Sequence, residues 1–219
     1  MSANAKAPDA LLLLTASCPF CPAVLAALGE LVKAGRIGRL EVVNIESHPE
    51  VAQHLGVRSV PWVRLGSFEL DGLRSKTELE QWALRAGTRE GVAQYLGELL
   101  ATGGLNKVLA HLARVPRDID ALLLLLASPD TDLHVQLGIA AVMEELQGST
   151  ALQSAVEQLG ALSASPEPRL RGDACHYLAL SRSPRAIPYV RRLLADPDPH
   201  VREVAQESLA ALEKTAADL

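Results

Sequence analysis

The chain has 219 residues, 48% of them apolar and 21% charged, which is enough for packed cores and excludes global disorder. Its net charge of −5 divides without a basic half, since ten basic and eleven acidic residues precede residue 100 and eleven and fifteen follow it. A nucleic-acid role therefore has no electrostatic support, and no apolar run approaches the roughly 20 residues of a membrane span.

Residues 1–8 read as a flexible tail. Lys6, the apolar run Ala10–Ala16 and Ser17-Cys18 together imitate a lipoprotein signal. The run sits at the lower limit of about 7–15 residues for such segments, however, and follows Asp9. A cytoplasmic protein with no membrane association is the expectation. Residues 10–15 read as a buried strand and residues 19–34 as a helix ending near Gly35. Between them lies Ser17-Cys18-Pro19-Phe20-Cys21-Pro22, with both cysteines expected in the first helical turn. Free amides and the positive helix end stabilise a thiolate there, so Cys18 is expected to titrate below an ordinary cysteine. The more exposed Cys18 is the candidate attacking thiolate, and Cys21 the residue that resolves the mixed disulfide. A C-x-x-C is also half of a zinc site, but structural zinc takes four ligands and the chain has only one such pair. Neither a metal nor another cofactor is expected. Three cysteines make a poor disulfide framework, and one close pair plus a distant Cys175 fits a reducing compartment.

Cys18-Pro19-Phe20-Cys21 resembles the active site of the thioredoxin-like superfamily, and is nearer to the glutaredoxin type than to the thioredoxin type. Val57-Arg58-Ser59-Val60-Pro61-Trp62-Val63 is similar to the segment whose proline is cis in that superfamily. The resemblance implies that Pro61 sits opposite the two cysteines and that the Val60 backbone pairs with the substrate chain. Phe20 is a third substrate-side candidate. The chain departs from the family at Leu12, where thioredoxins carry a buried Asp, and at Leu70-Asp71-Gly72-Leu73, where glutaredoxins carry two glycines.

Further along, residues 40–45 read as a strand and residues 49–55 as a short helix capped by Gly56. Residues 60–65 and 67–70 read as a hairpin. Ser75 and Glu78 form a capping box that opens another helix. The β-α-β-α-β-β-α order predicts a mixed sheet with flanking helices, an α/β thioredoxin-like redox domain over residues 9–88. Trp62 and Trp82 are expected in the core, and His48 and His54 on the surface.

After Gly87 the strand signal stops. Helices are expected near residues 89–101, 104–115, 118–127, 132–147, 150–163, 168–181, 184–195 and 199–214. Three proline turns, at Pro129, Pro166 and Pro197, recur after 37 and 31 residues. Each precedes an apolar helix opening at Val135, Leu170 or Val201. Ile139, Ala174 and Ala205 follow four residues later, and Met143, Leu178 and Leu209 eight residues later. This part resembles HEAT-like repeats, which makes residues 89–219 an all-α repeat domain. The resemblance implies that Arg171 and Arg202 pair with acids of a neighbouring repeat; Gln136 departs from that pattern. Cys175 is expected to be buried and inert. Arg182, Arg185, Arg191 and Arg192 are expected on a solvated face.

The expected function is a thiol–disulfide oxidoreductase of protein disulfide reductase type, acting on a protein disulfide or thiol client with an unidentified reductant. Its helical repeats would dock a protein partner. The alternative is a HEAT-type adaptor whose thioredoxin-like head senses redox state or is non-catalytic.

Overall fold

The computed structural model describes residues 7–217. The expected tail thus lies outside the described residues except for Ala7 and Pro8. The chain divides into two compact units, one ending at Val92 and the other beginning at Ala93.

In the first unit, β1 (Asp9–Leu14) pairs in parallel with β2 (Arg39–Asn44) and antiparallel with β3 (Trp62–Leu65). The latter pairs antiparallel with β4 (Phe68–Asp71), so the described strands run β2-β1-β3-β4. Burial on both faces suits the unbroken leucine run of the central β1. Leu11 and Leu13 cluster with Ala52 and Trp62 on one face, while Leu12 points to the other and is fully buried. The helices are α1 (Cys21–Lys33), α2 (Pro49–Leu55) and α3 (Lys76–Arg85). Val24, Leu28 and Leu31 give α1 its buried stripe, and α3 packs against it. Ser75 and Glu78 make the expected reciprocal cap, which holds the Glu78 carboxyl below its ordinary range. Phe68 and Trp82 meet edge to face with ring centres 5.2 Å apart, placing Trp82 in the core.

The start of the first helix differs from expectation. α1 begins at Cys21, with Phe20 as its N-cap, so Cys18 and Pro19 precede the helix. Pro22 explains this. In a helix starting at Pro19, residue 22 would have to donate the first i→i−4 bond to Cys18, and proline has no N–H. With the start at Cys21, Pro22 falls in the first turn, where no donor is needed.

The second unit is helical. The division falls inside α4 (Arg89–Ala101), which is followed by α5 (Leu105–Arg114), α6 (Ile119–Ala127) and α7 (Leu133–Glu145). Then come α8 (Thr150–Ser154), α9 (Val156–Leu162), α10 (Pro168–Leu180), α11 (Ile187–Leu193) and α12 (Pro199–Ala217). α10 packs on α7, α9, α11 and α12, an arrangement in which stacked helices bury faces that one pair could not. Val135, Leu170, Val201, Ile139, Ala174, Ala205, Met143 and Leu178 are all buried; Leu209 is half-buried. The single helix expected over 150–163 is broken at Ala155, whose N–H reaches back three residues to the Leu152 carbonyl. The Ser154 hydroxyl donates to the Ala151 carbonyl at 2.6 Å, the kind of local bond that competes with a helical ladder. No helix among the described residues is long and apolar enough to cross a membrane.

The repeat turns share one fastening. Gln136, Arg171 and Arg202 each donate to the carbonyl five residues upstream, those of Thr131, Pro166 and Pro197, at 2.7, 3.1 and 3.1 Å. Gln136 thus keeps the turn-holding half of the arginine's work. Arg171 also reaches the next repeat, donating Nε–H and Nη2–H to the two Asp196 oxygens at 2.7 Å each. The Arg171 guanidinium holds the Asp196 carboxyl below the usual carboxylate range. Arg202 departs from expectation: its bonds go to the carbonyls of its own turn, including that of Asp196 at 2.7 Å.

Candidate functional site

β1 ends at Leu14, and the turn that follows delivers Cys18 to the start of α1. Cys18 and Cys21 are joined as a disulfide, with Cα atoms 5.5 Å apart. The Cys21 N–H donates to the Cys18 sulfur at 3.2 Å, and Cys18 N–H approaches the Thr15 carbonyl at 3.4 Å. The two sulfur-bearing residues differ in exposure. Cys21 is 2% exposed because it is the first member of the buried α1 stripe, whereas Cys18 is half-buried. Phe20, between them, is 53% exposed.

The register places the second motif at the same end of the sheet. Trp62 stands opposite Leu13 of β1, so Pro61 lies beside the point where β1 leaves for the cysteine turn. The Val60–Pro61 bond is cis, as the resemblance implied. Pro61 is buried, and its carbonyl accepts the Gly72 N–H at 2.9 Å, which prolongs the β3–β4 ladder. Val60 is half-buried, and among the described residues its backbone N–H and carbonyl hold no hydrogen bond. Cys18, Phe20, Cys21, Val60 and Pro61 therefore share the end of the sheet at which β1 terminates.

Beside α1 lies a concavity for which the sequence carries no signal. It has a volume of about 520 Å³ and is lined by Ala23, Ala27, Glu30, Leu73, Arg74 and Lys76 among others. Arg74 Nε is buried there without a hydrogen-bond partner, although its Nη1 approaches Glu78 at 3.6 Å. Among the described residues, no three His, Cys, Asp or Glu side chains converge to hold a metal ion.

The remaining singled-out residues are accounted for by packing and pairing. Cys175 is fully buried on α10, and burial pushes its thiol up to about 11. Trp62 is buried, while His48 and His54 are exposed. In the arginine cluster, Arg185 meets Glu157 at 2.7 Å and Arg191 meets Glu213 at 3.0 Å. Arg182 donates to Gln147 at 3.0 Å, and Arg192 lies over the Tyr189 ring.

Comparison with known proteins agrees with both halves. A thioredoxin-domain family model matches residues 10–84, and a HEAT-repeat family model matches residues 156–218. No curated protein matches the chain. The chain thus joins an N-terminal thioredoxin-like domain to a helical region that ends in HEAT-like repeats.

Proposed function

We propose that the chain is a thiol–disulfide oxidoreductase of protein disulfide reductase type, with Cys18 as nucleophile and Cys21 as resolving thiol, and that its helical repeats dock a protein partner. The observation that carries this reading is the pair itself: two cysteines within bonding reach at a helix start, one accessible and one buried. In the reduced protein the Cys18 thiolate attacks one sulfur of a client disulfide. The client S–S bond breaks, its second sulfur leaves as a thiolate, and a Cys18–client mixed disulfide forms. The Cys21 thiolate then attacks the Cys18 sulfur and expels the client's first sulfur as a thiolate. Two electrons have passed to the client, the Cys18–Cys21 disulfide has formed, and an external dithiol or thiol reductant restores the protein.

The surroundings suit these steps. The N–H directed at Cys18 sulfur and the adjacent helix end favour its thiolate over its thiol. The unpaired backbone of Val60 offers a client segment strand-like hydrogen bonds beside the cysteine. Phe20 supplies exposed apolar surface next to it.

Turnover of a small disulfide and of a disulfide-bonded protein, with dithiothreitol as reductant, tests both parts of the reading. Cys18→Ser should abolish both activities, whereas an adaptor would lose no binding on that change. A chain ending before Leu105 should keep small-disulfide turnover and lose kcat/KM on the protein client, since tethering raises effective concentration without altering the chemistry. Undiminished turnover by Cys18→Ser sinks the catalytic assignment. Equal losses on both substrates in the shortened chain sink the docking assignment.

A further inference from the structure

The redox chemistry leaves unused a groove that runs along the helical unit between α10 and α12. Its volume is about 730 Å³, within the usual range of ligand sites. Its lining on α10 extends from Pro168 to Leu180, roughly 18 Å of helix. The apolar part of its lining includes Gly172, Ala179, Val201, Val204 and Ala211.

Gly172 is the informative residue. A glycine within a helix is destabilising relative to alanine, and packing does not require this one. A Cβ built on Gly172 would meet only Val201 Cγ2, at 4.0 Å. Gly160 of α9 is the contrast, because a Cβ there would run into the Tyr189 ring. A side chain at position 172 would project into the open space of the groove.

The charged lining has a sign. Asp173, Asp198 and Glu207 line the groove against one arginine, Arg169, which is already held by Glu167 at 3.2 Å and Asp173 at 2.9 Å. Asp198 accepts the His200 and Val201 N–H groups through a single oxygen, and Glu207 has no ion-pair partner among the described residues. The two histidines of the lining, His176 and His200, lie against Glu144 and Glu203. An apolar channel flanked by Asp198 and Glu207, two carboxylates without an ion pair among the described residues, is complementary to a segment bearing both apolar and cationic side chains.

We propose that this groove docks a basic amphipathic peptide segment of a protein partner, with an apolar side chain seated over Gly172 and a Lys or Arg against Glu207. The proposal rests on the reading that the repeats bind a partner, and it assigns that partner's chemistry.

Fluorescence anisotropy on the full chain tests it, with a labelled peptide of alternating Leu and Lys as probe and its Leu–Glu counterpart as control. The Lys peptide should bind about tenfold or more tightly than the Glu peptide. Gly172→Trp fills the groove and Glu207→Lys reverses its charge. Each should weaken the Lys peptide by about tenfold while the circular dichroism spectrum stays unchanged. Glu41→Lys, an exposed change on β2 in the other unit, should leave binding as it was. Equal affinity for the two peptides overturns the proposal. So does wild-type affinity in both groove variants, or an equal loss on Glu41→Lys. Such a failure leaves the docking reading to the shortened-chain kinetics, which register a partner site anywhere on the repeats.

Discussion

At the scale of single residues, the three cysteines are separated by burial. Cys18 and Cys21 stand at a helix start, one half-buried and one enclosed, while Cys175 is sealed inside α10 with its thiol pushed up to about 11. A raised thiol pKa keeps the protonated, unreactive form dominant at every pH below it, so two causes, burial and protonation, protect Cys175 at neutral pH. The reduced native protein should accordingly be alkylated by iodoacetamide at Cys18 near pH 7, and at Cys175 only in denaturant. Mass spectrometry that finds Cys175 alkylated in the native protein would refute this. The C-P-F-C motif and Pro61 were legible because each is a residue type at a spacing. The exact helix start was not, because Pro19 and Pro22 compete for the first turn and only the missing donor at Pro22 decides between them.

At the scale of elements, periodicity and caps carry most of the information. The strands of the first unit, the Ser75 box and the Gly56 cap follow directly from local chemistry. The helices that open after Pro129, Pro166 and Pro197 follow from apolar residues spaced by four. The break between α8 and α9 escaped this reading, since no Gly or Pro marks it and a serine hydroxyl turned onto its own backbone leaves no periodic trace. Gly160 escaped it as well: its reason is the Tyr189 ring from α11, a contact between elements. Gly160→Ala should therefore destabilise the protein by about 1–3 kcal/mol, the usual cost of overpacking, against the gain alanine normally brings to a helix interior. Urea denaturation followed by circular dichroism measures it, and a midpoint at or above that of the wild type would remove Tyr189 as the explanation.

At the scale of the whole molecule, composition excluded more than it identified. A net charge of −5 and mixed halves removed nucleic acid from consideration, yet three carboxylates and a single arginine line one groove. That lining could not be read in advance, because Asp173 and Glu207 are 34 positions apart in sequence and face one groove only once α10 and α12 pack. The change from sheet to helix after Gly87 was legible as the loss of strand patterning. The division between the two units falls within α4, after Val92, a point that the continuous helical pattern of residues 89–101 does not mark.

The fastening of the repeat turns has a consequence for how such a chain can change. Arg171 and Asp196 make a lock and key across one repeat boundary, and the corresponding positions one repeat earlier hold Gln136 and Ser165, neutral on both sides. Charge here is inherited by the boundary, so a lone arginine or a lone aspartate would be left unmatched in a half-closed site. Gln136→Arg and Ser165→Asp should each lower the melting temperature when made singly, and the two together should melt above the sum of their separate effects. Additive melting shifts in that cycle would mean that the boundaries are not interchangeable; a positive coupling would make the turn a unit that can be copied, charge and all, from one repeat to the next.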